Sequence, residues 1–113
     1  MVHVAQDQPT PDAALEALGD PNRRAVLEII AAGPRPVQAI ADRLPISRPA
    51  VSRHLRLLKE AGLVTHEAVG TQRVYRLRAE GVEAVRGYFE QLWSLAAVRY
   101  RLAAENVGER PAP

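Results

Sequence analysis

The stretch LPISRPAVSRHLRLLKEAGLV, residues 44–64, constrains this chain more than any other. Proline has no amide hydrogen and fits only the first turn of a helix, where that hydrogen would have no partner. Pro49 therefore sets the start of a helix close to Ser47, whose hydroxyl supplies the N-cap. Gly62, following Ala61, suits the C-cap, so the predicted helix spans about 47–61. Val51, Leu55 and Leu58 fall at i, i+4 and i+7 and point one way, into a core. The opposite side carries Pro49, Ser52, Arg53, Arg56 and Glu60, with Arg48 and Lys59 on its flank. The first half of that face is basic and hydroxylic, and its acid comes late.

The neighbouring segments give this helix a context. Pro36 opens an earlier helix in which Val37, Ile40, Ala41 and Leu44 form one apolar face at i, i+3, i+4 and i+7, and Pro45 ends it. Ile46 is an apolar plug in the turn. Helix, short turn and helix make a helix–turn–helix, which inserts its second helix N-terminus first into the DNA major groove. Arginine can bond guanine there through two hydrogen bonds, and serine suits phosphate. Upstream, Asp12 is expected to cap a short helix through about Leu18. Asp20-Pro21 then starts a second helix, ending near Gly33-Pro34, with Val26, Ile29 and Ile30 inward. Downstream, Leu63–Ala68 and Arg73–Arg78 read as the strands of a β-hairpin turning at Gly70. The final helix is predicted from Glu80 to Ala104, roughly 37 Å long. Its apolar residues cover about half the circumference, more than the ~100° stripe of a surface helix, which points to burial against its own domain and against another chain.

Length and composition narrow the class. The 113 residues suffice for one domain, expected at 11–104 between a disordered arm (1–10) and a disordered tail (105–113). No apolar run reaches the ~20 residues needed to cross a bilayer, and the N-terminus lacks the pattern of a secretion signal; a cytoplasmic location without membrane contact is expected. There is no cysteine, which removes disulfides, thiolate metal sites and cysteine nucleophiles. His3, His54 and His66 show no ligand spacing, and no phosphate loop or hydrolase motif is present. Neither an enzyme nor a cofactor is expected. The net charge of +2 is unevenly spread: residues 35–78 hold nine Arg/Lys and three acids, the remainder six and ten. A basic middle between acidic flanks suits a polyanion partner for the middle only, although charge alone favours an ordinary solvated surface; the helix–turn–helix is what points to double-stranded DNA.

Residues 15–78 resemble winged-helix repressors of the ArsR/SmtB type. The resemblance lies in LGDPNRRAVLEII (18–30), PVQAIADRLPISRPAVSRHLRLLKEAGLV (36–64) and GTQRVYRL (70–77). It implies a mainly α fold with a small β-hairpin, a winged helix–turn–helix with a long C-terminal dimerisation helix. It also implies a homodimer that represses from a palindromic operator, with the first and last helices at the interface. The expected interface residues are Leu15, Leu18, Tyr88, Phe89, Leu92, Trp93, Ala96 and Tyr100. The wing, about 68–73, would reach the minor groove or backbone. Expected DNA contacts are Gln38, Ser47, Arg48, Ser52, Arg53, His54, Arg56, Thr71 and Arg73, with Arg53 first for a base edge. Ser47 is a helix cap before it is a phosphate ligand, and His54 is divided between packing and phosphate.

The chain departs from the family's metal sensors: no cysteine lies in 36–44, and 80–104 has glutamates without histidine, a poor zinc site. It looks more like the non-metal branch, whose members often repress their own operon, frequently beside a gene for a START-like protein. An unidentified small-molecule effector stays open as a partner. The alternatives are a ligand- or metal-responsive repressor of the same fold and a winged-helix protein-interaction adaptor.

Overall fold

Two X-Pro junctions start the first two helices. The computed structural model describes residues 8–108. Helix α1 is Pro11–Ala17, and its N-cap is Thr10, whose Oγ1 accepts from the Ala13 amide at 3.2 Å. Asp12 was expected to be the cap; it lies one residue inside the first turn instead, where its charge favours the positive helix end. Helix α2, Pro21–Ala31, is capped by Asp20, which accepts from the amides of Asn22 (2.7 Å) and Arg23 (3.1 Å). Those two amides, that of Arg23 foremost, hold the Asp20 carboxyl below the usual carboxylate range against some desolvation. Arg23 and Arg24 reach back to the carbonyls of Ala17 and Leu18, each at 2.7 Å, closing the end of α1.

Arg35–Pro36 forms a strand, β1, that the sequence reading did not anticipate. It pairs antiparallel with a later strand, Arg35 opposite Tyr75 and Pro36 opposite Val74. Pro36 is tolerated because β1 is an edge strand with no second neighbour. Helix α3 is short, Val37–Ala41. Leu44, placed by its spacing on the same helix, lies in the following turn but still packs against the core. Helix α4, Arg48–Glu60, starts where Pro49 requires, with Ser47 Oγ accepting from the Ala50 amide at 3.2 Å. Ser47→Ala should cost about 1 kcal/mol in urea unfolding, and Ser47→Asp should restore most of it, because an acceptor at the N-cap is what the amide needs.

Strands β2 (Val64–Val69) and β3 (Gln72–Leu77) form the hairpin, in register from Val64 opposite Leu77 to Val69 opposite Gln72. The loop is Gly70-Thr71, and Gly70 has φ 63°, open to glycine at little cost. The sheet order is β1-β3-β2. Helix α5 runs Ala79–Gly108, past Ala104 and into the segment expected as a disordered tail. Residues 1–7 of the expected arm and 109–113 of the expected tail lie outside the described residues. Pro9, also assigned to the arm, packs instead on Gly62: a Cβ built on that glycine would sit 3.1 Å from Pro9 Cβ.

One core joins these elements: Val26 and Ile30 from α2, Ile40 from α3, Val51, Leu55 and Leu58 from α4, then Leu63, Val64 and Tyr75. Each fully buried aliphatic side chain contributes about 1.5–3 kcal/mol. The second half of α5 stands away from this body. The radius of gyration is 19.6 Å, against about 13 Å for a compact domain of this length, and every residue from Phe89 to Glu105 is exposed.

Candidate nucleic-acid interface

The core-facing Val51, Leu55 and Leu58 fix the rotation of α4 and so fix what it presents. Pro49, Ser52, Arg53, Arg56 and Glu60 are all exposed on the outward side. At the N-terminal end, Arg48 donates to Gln38 Oε1 at 3.2 Å, and Gln38 Nε2 donates to Asp42 Oδ1 at 2.7 Å. Asp42 thus orients Gln38, and Gln38 steadies the Arg48 guanidinium. The hairpin returns its tip to the same place. Gln38, Arg48, Thr71, Gln72 and Arg73 line one groove of about 260 Å³ with Pro36 and Val37.

Helix start and wing tip therefore form one surface, and β1 explains how: Arg35 and Pro36 tie the start of α3 to β3. Arg48, Arg53 and Arg73 make no ion pair with an acid among the described residues. Their charge is left for phosphate or base edges. Farther down the wing, Arg76 is paired with Glu67. Gln72 was not among the expected contacts; its signal was its place opposite Val69 at the hairpin turn.

Two expected contacts stand apart from this surface. His54 is half-buried with Nδ1 enclosed and without a hydrogen-bond partner. Arg56 lines a second cleft together with Lys59 and Arg78. On the hairpin, the His66 ring lies tilted at 57° to the Tyr75 ring, centroids 5.1 Å apart, and burial, then Lys59 and Arg73, holds its pKa below the ordinary value.

The expected interface residues divide by depth. Leu15, Leu18 and Tyr88 are half-buried within the chain, whereas Phe89, Leu92, Trp93, Ala96 and Tyr100 are exposed. Tyr88 and Phe89 meet edge to face at 5.8 Å. Among the described residues no cluster of His, Cys, Asp and Glu is arranged to hold a metal, and no helix is long and apolar enough to cross a membrane.

Comparison with known proteins gives this surface its family. A helix-turn-helix domain model matches residues 18–67. The HTH-type transcriptional regulator Rv2034 of Mycobacterium tuberculosis is 43% identical over 100 residues, 88% of this chain and 94% of that protein. An ArsR-like transcriptional regulator from Rhodococcus sp. RHA1 superposes with a TM-score of 0.73 at 26% identity, over 99% of this chain and 100% of that one. The chain belongs to the ArsR/SmtB family. As an ArsR/SmtB-type winged helix–turn–helix protein, it is a DNA-binding transcriptional regulator, a class that is not enzymatic. The homodimeric winged helix-turn-helix DNA-binding domain of Mb0332 from Mycobacterium bovis matches with a TM-score of 0.58 at 30% identity, covering 76% of this chain and 77% of that one. In this ArsR/SmtB chain α3 and α4 form the helix–turn–helix and β2–β3 the wing.

Proposed function

We propose that the protein is a sequence-specific repressor that binds a palindromic operator as a homodimer. The observation that carries this reading is the convergence of Arg48, Gln38, Thr71 and Arg73 beside the outward Ser52 and Arg53 of α4. In this reading Arg53 enters the major groove and bonds a base edge, Ser52 lies beside it, and Ser47 adds a phosphate contact to its capping role. Gln38 and Arg48 hold the backbone next to the helix N-terminus, Arg56 adds charge from its flank, and Thr71 and Arg73 hold the backbone at the wing. Partial burial and an enclosed Nδ1 favour packing over DNA contact for His54. The exposed apolar face of α5 supplies the second subunit, in keeping with the homodimeric state of the Mb0332 domain. Two recognition helices related by a two-fold axis read two half-sites about one helical turn apart. Bound across a promoter, such a dimer represses by excluding polymerase.

Two substitutions separate base reading from phosphate contact. Arg53→Ala should weaken operator binding by about 1–3 kcal/mol and relax preference at one position of each half-site. Arg73→Ala should weaken operator and scrambled duplex alike and lower the slope of affinity against salt by about one per subunit. Fluorescence anisotropy over a salt series measures both. If the folded Arg53→Ala protein retains full operator affinity, the base-reading role is wrong.

A further inference from the structure

The cleft that Arg56 lines is separate from the groove at the wing tip. It holds about 870 Å³ and lies between the second half of α4, the root of β2 and the segment Gln8–Thr10. That volume falls within the range of small-molecule sites. Its cations are Arg56, Lys59 and Arg78, and its acid is Glu60. Arg78 also reaches Glu80 at 3.7 Å, whereas Arg56 and Lys59 make no ion pair among the described residues. Between these charges the lining mixes apolar surface from Pro9 and Ala13 with the hydroxyls of Thr10 and Thr65.

We propose that this cleft binds a small organic anion, a carboxylate or phosphate ester with an apolar body, and that the bound anion lowers operator affinity. The effector role rests on the repressor reading above; the binding site does not. Charged side chains with apolar surface between them match a molecule with a charged head and an apolar body. A duplex backbone is convex and charged along its length, and would leave that apolar surface uncovered. Position supports the distinction. Arg56 and Lys59 lie about 12 and 16 Å along the helix axis from Arg48, away from the end that meets the wing tip.

Position also gives the coupling. The hairpin runs back along α4, so β2 leaves beside the end of α4 and the tip returns beside its start. The cleft is thus at the shared root of both DNA-reading elements. A ligand wedged there changes the angle between recognition helix and wing, and its negative charge offsets cations that would attract DNA. Pro9, seated on Gly62, closes one side.

The test uses the full chain without DNA, labelled with ¹⁵N, and phenyl phosphate and benzoate as probes. At least one probe should bind with a Kd of about 1 mM or tighter, shifting the amides of Val64 and Thr65 and leaving Thr71 and Arg73 unmoved. Lys59→Gln, folded by its own spectrum, should weaken binding at least about tenfold. The bound probe should then weaken operator binding in the native chain. Failure of both probes to saturate, shifts centred on the wing tip, or equal affinity for inorganic phosphate overturns the proposal. Loss of duplex affinity in Lys59→Gln without any probe binding would assign the cleft to the DNA backbone and overturn it too. Saturable probe binding by a protein that ignores its operator would keep the site and reject the repressor reading.

Discussion

Gly81→Ala is expected to destabilise the domain by about 3 kcal/mol, although alanine in a helix is intrinsically worth about 1 kcal/mol more than glycine. Gly81 is buried in the first turns of α5, and a Cβ there would lie 2.0 Å from the Gly62 carbonyl oxygen and 2.7 Å from its carbon. Both are backbone atoms, and Gly62 is itself held at φ 80° with Pro9 against it. Neither partner can swing aside. To admit the methyl group, α5 must lift from the α4–β2 turn, straining the Arg78 amide bond to the Leu63 carbonyl at 2.9 Å and loosening Leu63 and Val64. Gly87 is the internal control: it lies in the same helix, is exposed, and has nothing within 4 Å of a built Cβ. Gly87→Ala should stabilise by up to about 1 kcal/mol through propensity alone. Urea unfolding at one fixed protein concentration compares the two, because the proposed dimerisation would contribute to apparent stability. Equal stability of Gly81→Ala and the native chain would mean that α5 does not cross the turn at this distance.

Trp93→Glu should turn the proposed dimer into a folded monomer and cut operator affinity by about 100-fold or more, because the two half-sites then bind independently. Phe89, Trp93 and Tyr100 are 54, 75 and 79% exposed in the single chain. Together they leave on the order of 400 Å² of aromatic surface in water, as much as the largest apolar patch of a typical monomer. Leu92 borders that face, and Leu95, Val98 and Leu102 expose further apolar surface on the other side of the helix. The polar arc of the same helix is marked by Arg86, which pairs with Glu83 at 3.6 Å and Glu90 at 3.5 Å. A carboxylate at position 93 would be buried without a partner in any dimer built on the apolar face. Trp93 is too exposed in its own chain for the change to unfold it, which circular dichroism can check. Sedimentation at micromolar concentration reads the assembly. A Trp93→Glu protein that remains dimeric would place the subunit interface elsewhere.

Local chemistry determined the elements of this protein. Pro49 and Ser47 set the start of α4, Asp20-Pro21 that of α2 and Gly70 the hairpin turn, because a cap or a φ angle acts within a few residues. The one-sided distribution of Ser52 and Arg53 was likewise readable, since helical period alone places them opposite Val51 and Leu55. Capping was misread only at Thr10, where two competent acceptors stand two residues apart. Tertiary structure decided what no local rule reaches. Arg35–Pro36 is too short to show a strand's alternation and becomes one only because β3 lies beside it. Helical period places Arg56 on the outward face of α4 and Arg48 on its flank, but only the hairpin running along α4 assigns Arg48 to the wing-tip groove and Arg56 to the cleft at its root. His54 is half-buried with its Nδ1 enclosed, and Gly81 is obligatory because it meets a peptide nineteen residues earlier in the chain. Each of these depends on a distance between segments remote in sequence, and such distances exist only after the core has packed.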